Sequence, residues 1–296
     1  MNPISNKMLC SLLLATTLSF TARGQGSIPD RPEKLTYPPF LYEPPRAADH
    51  RVQLQAGPVA FLAPDHERPL INITVYVRTG EFMDPAGKEG LADLTGYLLA
   101  RGGAGTNSAD GLEERTAYLA ALLESGIGDI PVSGGGTINC GVVSLNLLSK
   151  DLDEGLKMLR DVIYTPRFDE DKIKVRKDQL LQDMKQRNDD TATIETIEKG
   201  FLAFGENFWA NRHTTAASTR AITRADLQSF HRRWFVPQNF VVAVSGDFDR
   251  ATMTTKLEKL FMRPDLGKPA PPAIMPTNLV FAGPGVYLVN KPDVNQ

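Results

Sequence analysis

The imidazole and thiol side chains of this sequence, which supply the nitrogen and sulfur ligands of transition metals, are few. They are four histidines and two cysteines, His50, His66, His213, His231, Cys10 and Cys140. Two histidines can share a zinc ion when they lie close together on one element, and no pair here has that spacing. The first three histidines lie in coil-like context. His231 lies beside Arg232, Arg233 and Trp234 on a predicted helix, where a packing or surface role is expected.

Three further features have structural explanations that are simpler than chemical ones. The segment Ser133 to Thr137 is glycine-rich, but it leads into a strand, so a hairpin connection is expected rather than a phosphate-binding loop. The basic residues between Lys172 and Lys185 are balanced by acidic residues, which predicts a solvated helix face. Cys140 falls in an apolar strand-like run and is expected to be an unreactive core thiol.

The elements that must position any site lie between two proline-rich stretches, residues 28–47 and 264–276. Periodicity predicts strands over residues 71–77, 138–148 and 240–244, and helices over residues 90–99, 112–125, 152–164, 169–187 and 223–234. Thr223 is the expected N-cap of the last helix, with Asp226 at the capping-box distance. Strands separated by paired helices predict an α+β fold rather than a doubly wound parallel sheet.

Several segments with distinctive sequences follow one another along the chain, and they are Arg78–Gly80, Asp84–Ala92, Tyr164–Phe168, Phe230–Asn239 and Val244–Phe248. In this order they resemble segments of the insulinase/pitrilysin family of zinc peptidases, to which mitochondrial processing peptidase belongs. The resemblance covers roughly residues 52–265. It implies the family's N-terminal domain, a metallopeptidase-like α+β fold with a mostly antiparallel sheet and helices packed on one face.

The family's zinc site depends on a helix with the pattern H-x-x-E-H. Its two histidines, four residues apart on one helical face, bind a single zinc ion, and the glutamate acts as general base for the zinc-bound water. In this sequence Asp93 stands at the first histidine position, Gly96 at the glutamate position and Tyr97 at the second histidine position. The resemblance places Asp183 at the third ligand, a glutamate in the family.

Both histidines and the base are therefore missing together. Asp93 and Asp183 can form at most a pair of carboxylates, whereas zinc sites use three or four ligands and usually include nitrogen or sulfur. A calcium or magnesium site would lack a supporting loop pattern. We expect no cofactor in this chain, although zinc is expected in active relatives. If the helix geometry is retained, restoring the four family residues is expected to recover zinc affinity.

Three functions are compatible with this pattern. The preferred one is an exported, non-catalytic subunit that encloses or binds peptide together with an active insulinase-family peptidase. The second is a truncated remnant without a function, and the third is an active metalloendopeptidase with ligands that the sequence does not reveal. The loss of all three motif residues favours the non-catalytic interpretation.

The start of the chain predicts export. Residues 1–24 have the pattern of a signal peptide, with Lys7 before an apolar run that is too short to span a bilayer and with small residues near Gly24 for cleavage. Cys10 is badly placed for lipidation, and the mature chain with one cysteine would form no internal disulfide. We therefore expect a periplasmic or extracellular protein without a membrane span after cleavage.

The domain prediction follows from these segments. Residues 25–50 are expected to form a proline-rich N-terminal segment, residues 51–265 the peptidase-like domain, and residues 266–296 a linker with the first strand of a second domain that the resemblance implies. The net charge of −2 gives no bias toward nucleic acid or anionic membranes. The expected partners are therefore a peptide and an active family member, the latter because a lone first domain would leave its inner face uncovered.

Overall fold

A computed structural model describes residues 41–131, 135–187, 189–263, 275–277 and 279–291, and also residues 31, 33, 35 and 37. The chain divides into two compact units, Met1–Pro45 and Arg46–Gln296, and the elements given below belong to the second. The predicted signal peptide with Cys10 lies outside the described residues. So do parts of the glycine-rich connection, the second proline-rich stretch and the C-terminal segment. None of the described helices is long and apolar enough to cross a membrane.

Six strands form one sheet in the order β1-β2-β6-β3-β5-β4. Their bounds are β1 Arg51–Gln53, β2 Val59–Pro64, β3 Leu70–Val77, β4 Leu122–Pro131, β5 Thr137–Leu148 and β6 Phe240–Gly246. Every neighbouring pair is antiparallel except β2 and β6, which run parallel with Val59 opposite Val241. Strand β4 lies at an edge of the sheet, so one of its two sides has no strand partner within the sheet.

Nine helices can be assigned within the described residues. They are α1 Ala47–His50, α2 Leu91–Arg101, α3 Ala109–Tyr118, α4 Leu152–Tyr164, α5 Glu170–Gln186, α6 Thr191–Phe204, α7 Ala216–Ala221, α8 Arg224–Trp234 and α9 Arg250–Phe261. Helix α2 packs on β4 and α8, and α4 packs on β5. The α8 prediction is confirmed in detail, because Thr223 and Asp226 form a capping box.

The sheet has one face buried under helices and one more open face. In β3, Ile71, Ile73 and Val75 are fully buried, whereas the intervening Asn72 is exposed and Thr74 is half-buried. This alternation is the period-two pattern of a strand with one wet face. The prediction of an α+β fold, with a mostly antiparallel sheet and helices on one face, is therefore confirmed.

One predicted helix is wrong over its second half. The predicted helix over residues 112–125 ends at Tyr118, and strand β4 begins at Leu122. Ala120 lies between them with φ 47°, a left-handed conformation in which an α-helix cannot continue. Gly126, directly after the predicted helix, lies inside β4. The glycine-rich segment does connect two antiparallel strands, β4 and β5.

Candidate functional site

Helix α2, which carries Asp93, Gly96 and Tyr97, is anchored at its first turn by Asp84. The two carboxylate oxygens of Asp84 accept hydrogen bonds from the backbone nitrogens of Gly90 at 2.7 Å and Ala92 at 2.8 Å. These donors are among those that a helix N-terminus leaves without an internal partner. Burial raises the pKa of Asp84 to about 7, although both hydrogen bonds favour the charged carboxylate.

Asp93, at the first histidine position, forms an ion pair with a residue of α5. Its carboxylate lies 3.5 Å from a terminal nitrogen of the Arg176 guanidinium. Burial raises the pKa of Asp93, and the charge of Arg176 opposes that shift. The side chain of Arg176 is only 21% exposed. The expectation that the basic residues of this helix form a solvated face is therefore wrong for Arg176.

Tyr97, at the second histidine position, is held by two guanidinium groups. The central carbon of the Arg176 guanidinium lies 4.1 Å from the centre of the Tyr97 ring, and that of Arg101 lies 4.7 Å from it. An aromatic face attracts such a cation because of the ring quadrupole. Arg176 thus contacts the residues at both histidine positions, so the cation that joins them in this structure is a guanidinium of the protein itself.

Gly96, at the position of the general base, lies against the backbone of β4. A Cβ atom added there would lie 2.2 Å from the nitrogen of Ile127 and 2.5 Å from the carbonyl carbon of Gly126. The Ser125 hydroxyl tightens this approach, donating to the carbonyl oxygen of Gly96 at 2.7 Å and accepting from the nitrogen of Ala100 at 3.0 Å. Any side chain at Gly96 requires the helix and the strand to separate. The expectation that restoring the family residues recovers a zinc site assumed that this space was free.

Asp183, at the third ligand position, is exposed on α5 and forms no ion pair with the described residues. It lies seven residues beyond Arg176, about two helical turns further along. Within the described ranges, no three His, Cys, Asp or Glu side chains are grouped so that they could hold a metal ion. Arg176, and not Asp183, is therefore the α5 residue that contacts Asp93.

The site contains an acidic group that the sequence analysis did not identify. Asn139 donates from its side-chain nitrogen to Glu81 at 2.9 Å and to Asp129 at 2.8 Å. Burial raises the pKa of Glu81, and the nearby charges of Asp93 and Asp129 act in the same direction. Glu81 follows Arg78–Gly80 directly, but neither its type nor its spacing distinguishes it from a surface glutamate.

His231 and Cys140 have the structural roles that their sequence context suggested. His231 is buried in the core rather than at the surface, and its Nε2 lies 2.8 Å from the carbonyl oxygen of Ile163. Burial lowers the pKa of His231 to about 4, so the ring is neutral at physiological pH. Cys140 is also buried, and burial raises the pKa of its thiol, which keeps it protonated and unreactive.

Of the remaining three histidines, all expected in coil, His50 instead ends helix α1, and His213 lies near the start of α2, in a cavity that Asp84 and Gly90 also line. His50 Nδ1 lies 3.0 Å from the carbonyl oxygen of Leu62, and His66 Nδ1 lies 2.7 Å from the carboxylate of Asp247. His213 packs edge-on against the ring of Phe201, and burial lowers its pKa.

Comparisons with known proteins all find sequences or structures of peptidases and peptidase-like domains. The family model for the peptidase M16 inactive domain matches residues 221–296. An uncharacterised zinc protease of Mycobacterium leprae is 30% identical over 155 residues, which are 51% of this chain and 34% of that protein. An uncharacterised zinc protease of Mycobacterium tuberculosis is 30% identical over 119 residues, 39% of this chain and 27% of that protein. The chain thus spans about a third of the length of these relatives.

Solved structures share the fold at low sequence identity. A peptidase M16 inactive domain from Pseudomonas fluorescens is 21% identical with a TM-score of 0.62, covering 75% of this chain and 53% of its own. The periplasmic protease PqqL from Escherichia coli is 15% identical with a TM-score of 0.63, covering 77% of this chain and 25% of its own.

Proposed function

Because the chain belongs to the insulinase/pitrilysin (M16) family, we propose that it is an exported, non-catalytic member that binds peptide and assists an active family peptidase. It is a homologue of metallopeptidases, and a model of an inactive domain matches part of it.

The observation that carries the non-catalytic assignment is the contact of Arg176 with both Asp93 and Tyr97. A guanidinium has no lone pair to offer a metal, and its positive charge repels a cation at the same place. The position of the general base offers no carboxylate either, because glycine occupies it, and its contact with β4 leaves no room for a side chain. The residues of α2 and α5 thus form an ion pair and a ring contact where active relatives would use nitrogen ligands and a base.

Peptide binding is supported by the position of β4. Its outer side is the end of the sheet, and the backbone N–H and C=O groups of such an edge can pair with an added strand. Strand addition needs main-chain groups and pockets for alternate side chains, and it needs no metal. The same strand packs on α2 at Gly96, so a peptide bound along β4 would pass beside the degenerate motif.

A partner is supported by the apolar segment near the end of the described chain. Val286 is 89% exposed and Leu288 is 90% exposed, and Phe281 and Val280 nearby are also largely exposed. This segment is connected to α6, because the backbone nitrogen of Val280 donates to the carbonyl oxygen of Phe204. A run of exposed large apolar side chains favours burial against another protein surface.

We expect the chain without residues 1–24 to form a complex with an active secreted family peptidase and to raise its rate of peptide cleavage. Size-exclusion chromatography and a fluorogenic peptide assay on the same mixtures measure both effects. Leu288→Asp should prevent the complex, because it places a charge in the apolar segment. Tyr118→Asp, at another exposed apolar side chain outside that segment, should leave the complex unchanged.

The outcomes of this experiment separate the alternatives. A mixture without complex or change in rate would contradict the helper function. A complex that lowers or does not change the rate would also contradict it and would instead indicate an inhibitory or structural subunit.

A further inference from the structure

A cavity of about 490 Å³ lies beside Tyr97, between α2, α3, α5 and the start of β4. Its charged lining residues are Arg101 from α2, Glu113 from α3, and Lys172 and Arg176 from α5. Three cations thus face one carboxylate around the same space. A pocket with this charge composition favours an anionic group.

The three cations differ in how far the protein already neutralises them. Lys172 lies 2.7 Å from the carboxylate of Asp110, and Arg176 is paired with Asp93. Arg101 forms no ion pair within the described part of the chain, and its guanidinium lies over the ring of Tyr97. The buried Nε atom of Arg176 also has no hydrogen-bond partner among the described residues. The cavity therefore offers an uncompensated cation and an unused buried donor, which a ligand carboxylate can satisfy.

The other walls of the cavity suit the aliphatic stem of a side chain. Leu98, Leu123 and Val175 line it together with alanines. Such walls can bury the methylene groups of a glutamate or aspartate while the guanidinium groups hold its carboxylate. The cavity thus has apolar walls that match the methylene groups of an acidic side chain and cationic groups that match its carboxylate.

The location of the cavity connects it to the edge strand. Ala121 and Leu123 line it at the beginning of β4, whose outer side ends the sheet. A peptide paired with this edge would project alternate side chains toward the helices.

We propose that this cavity is a subsite for an acidic side chain of a peptide bound along β4, so that the protein selects peptides with glutamate or aspartate at that place. This inference rests on the peptide binding proposed above. The recognition is electrostatic and bidentate where a guanidinium meets the carboxylate, so charge and geometry both contribute.

Fluorescence polarisation on the mature chain can test the selection with a labelled host peptide of serine, threonine and valine. The peptide is acetylated and amidated, and its central residue is glutamate, glutamine or lysine. We expect the glutamate peptide to bind roughly tenfold more tightly than the glutamine peptide, the size of effect expected for a charge-assisted hydrogen bond. The lysine peptide should bind most weakly, and the preference for glutamate should shrink at high salt.

Arg101→Gln should remove most of the preference for glutamate, and Arg101→Lys should keep part of it. The matched control is Arg233→Gln, because Arg233 also lies over an aromatic ring, that of Trp234, and lies outside the cavity. A glutamine peptide with a free C-terminal carboxylate distinguishes the two sources of this group. Tight binding of that peptide alone would assign the cavity to a peptide C-terminus and overturn the side-chain subsite.

The failure of this inference can be distinguished from the failure of peptide binding itself. Equal affinities for the glutamate and glutamine peptides, unaffected by Arg101→Gln, would overturn the acidic subsite and leave peptide binding intact. The absence of binding by every peptide, at any salt concentration, would overturn both.

Discussion

The variant that restores the family motif, Asp93→His, Gly96→Glu, Tyr97→His and Asp183→Glu, should be strongly destabilised and should gain no zinc affinity. The reason lies at Gly96, where the first side-chain carbon would already overlap the backbone of Ile127. A backbone neighbour cannot move aside as the end of a flexible side chain can, so α2 and β4 must separate. Urea denaturation and zinc titration of the purified variant measure the two effects.

The single substitution Gly96→Ala tests the effect of the close approach between α2 and β4 without the other three changes. We expect it to lower the free energy of unfolding by about 2–3 kcal/mol, the upper range for overpacking a core. The matched control is Gly111→Ala in α3, where an added Cβ would meet the hydroxyl oxygen of Ser108 at an ordinary contact distance of 3.4 Å. That change should be neutral or slightly stabilising, because alanine favours helices more than glycine does. Equal effects at the two glycines, or zinc binding by the restored motif, would refute the close approach.

Arg176→Gln should destabilise the fold by about 1–2 kcal/mol, between the values for exposed and buried ion pairs, because Asp93 is half-exposed. The substitution leaves the Asp93 carboxylate without its counter-charge, and it removes the ring contact with Tyr97. The pKa of Asp93, already raised by burial, should rise further. A carboxyl whose pKa is higher in the folded state than in the unfolded state favours folding when protonated. The loss of folding stability caused by Arg176→Gln should therefore increase as pH rises through the pKa of Asp93 and should be smaller in acid.

A double-mutant cycle with Asp93→Asn separates the ion pair from the ring contact. The double variant Asp93→Asn with Arg176→Gln should regain part of the stability that Arg176→Gln loses, because no unpaired charge remains. Arg115→Gln is the matched control, since Arg115 pairs with Glu154 and contacts the ring of Tyr118 at an exposed place. It should have the smaller effect and little pH dependence. Additive effects of Asp93→Asn and Arg176→Gln would mean that the two residues do not interact.

The fold was largely predictable where periodicity is clear. Strand β3 and helix α4 have strong period-two and period-three-to-four patterns, and the structure confirms both with bounds within one residue. Strand β4 was missed because its first apolar residues continue the helical spacing of α3, and because Gly126 and Gly128 weaken a strand pattern. The turn at Ala120 that separates the two elements has no glycine to mark it.

The sequence predicted which helix carries the candidate site residues, but it did not predict the neighbours that contact them. The sequence placed Asp93, Gly96 and Tyr97 on one helix, and all three lie on α2. It could not identify Arg176, because a helix with charges on all sides does not reveal which of its cations contacts α2. It also could not show that Gly96 lies against β4, since that contact depends on a strand that the pattern did not predict.

The zinc content of the purified chain without residues 1–24 tests the central claim most directly. Mass spectrometry of the protein, dialysed against zinc and then against metal-free buffer, should find far less than equimolar zinc, and an unstructured peptide should remain uncleaved. Asp93→Ala and Asp183→Ala should change neither result. Equimolar zinc that is lost in those two variants, together with peptide cleavage by the unaltered chain, would contradict the non-catalytic assignment.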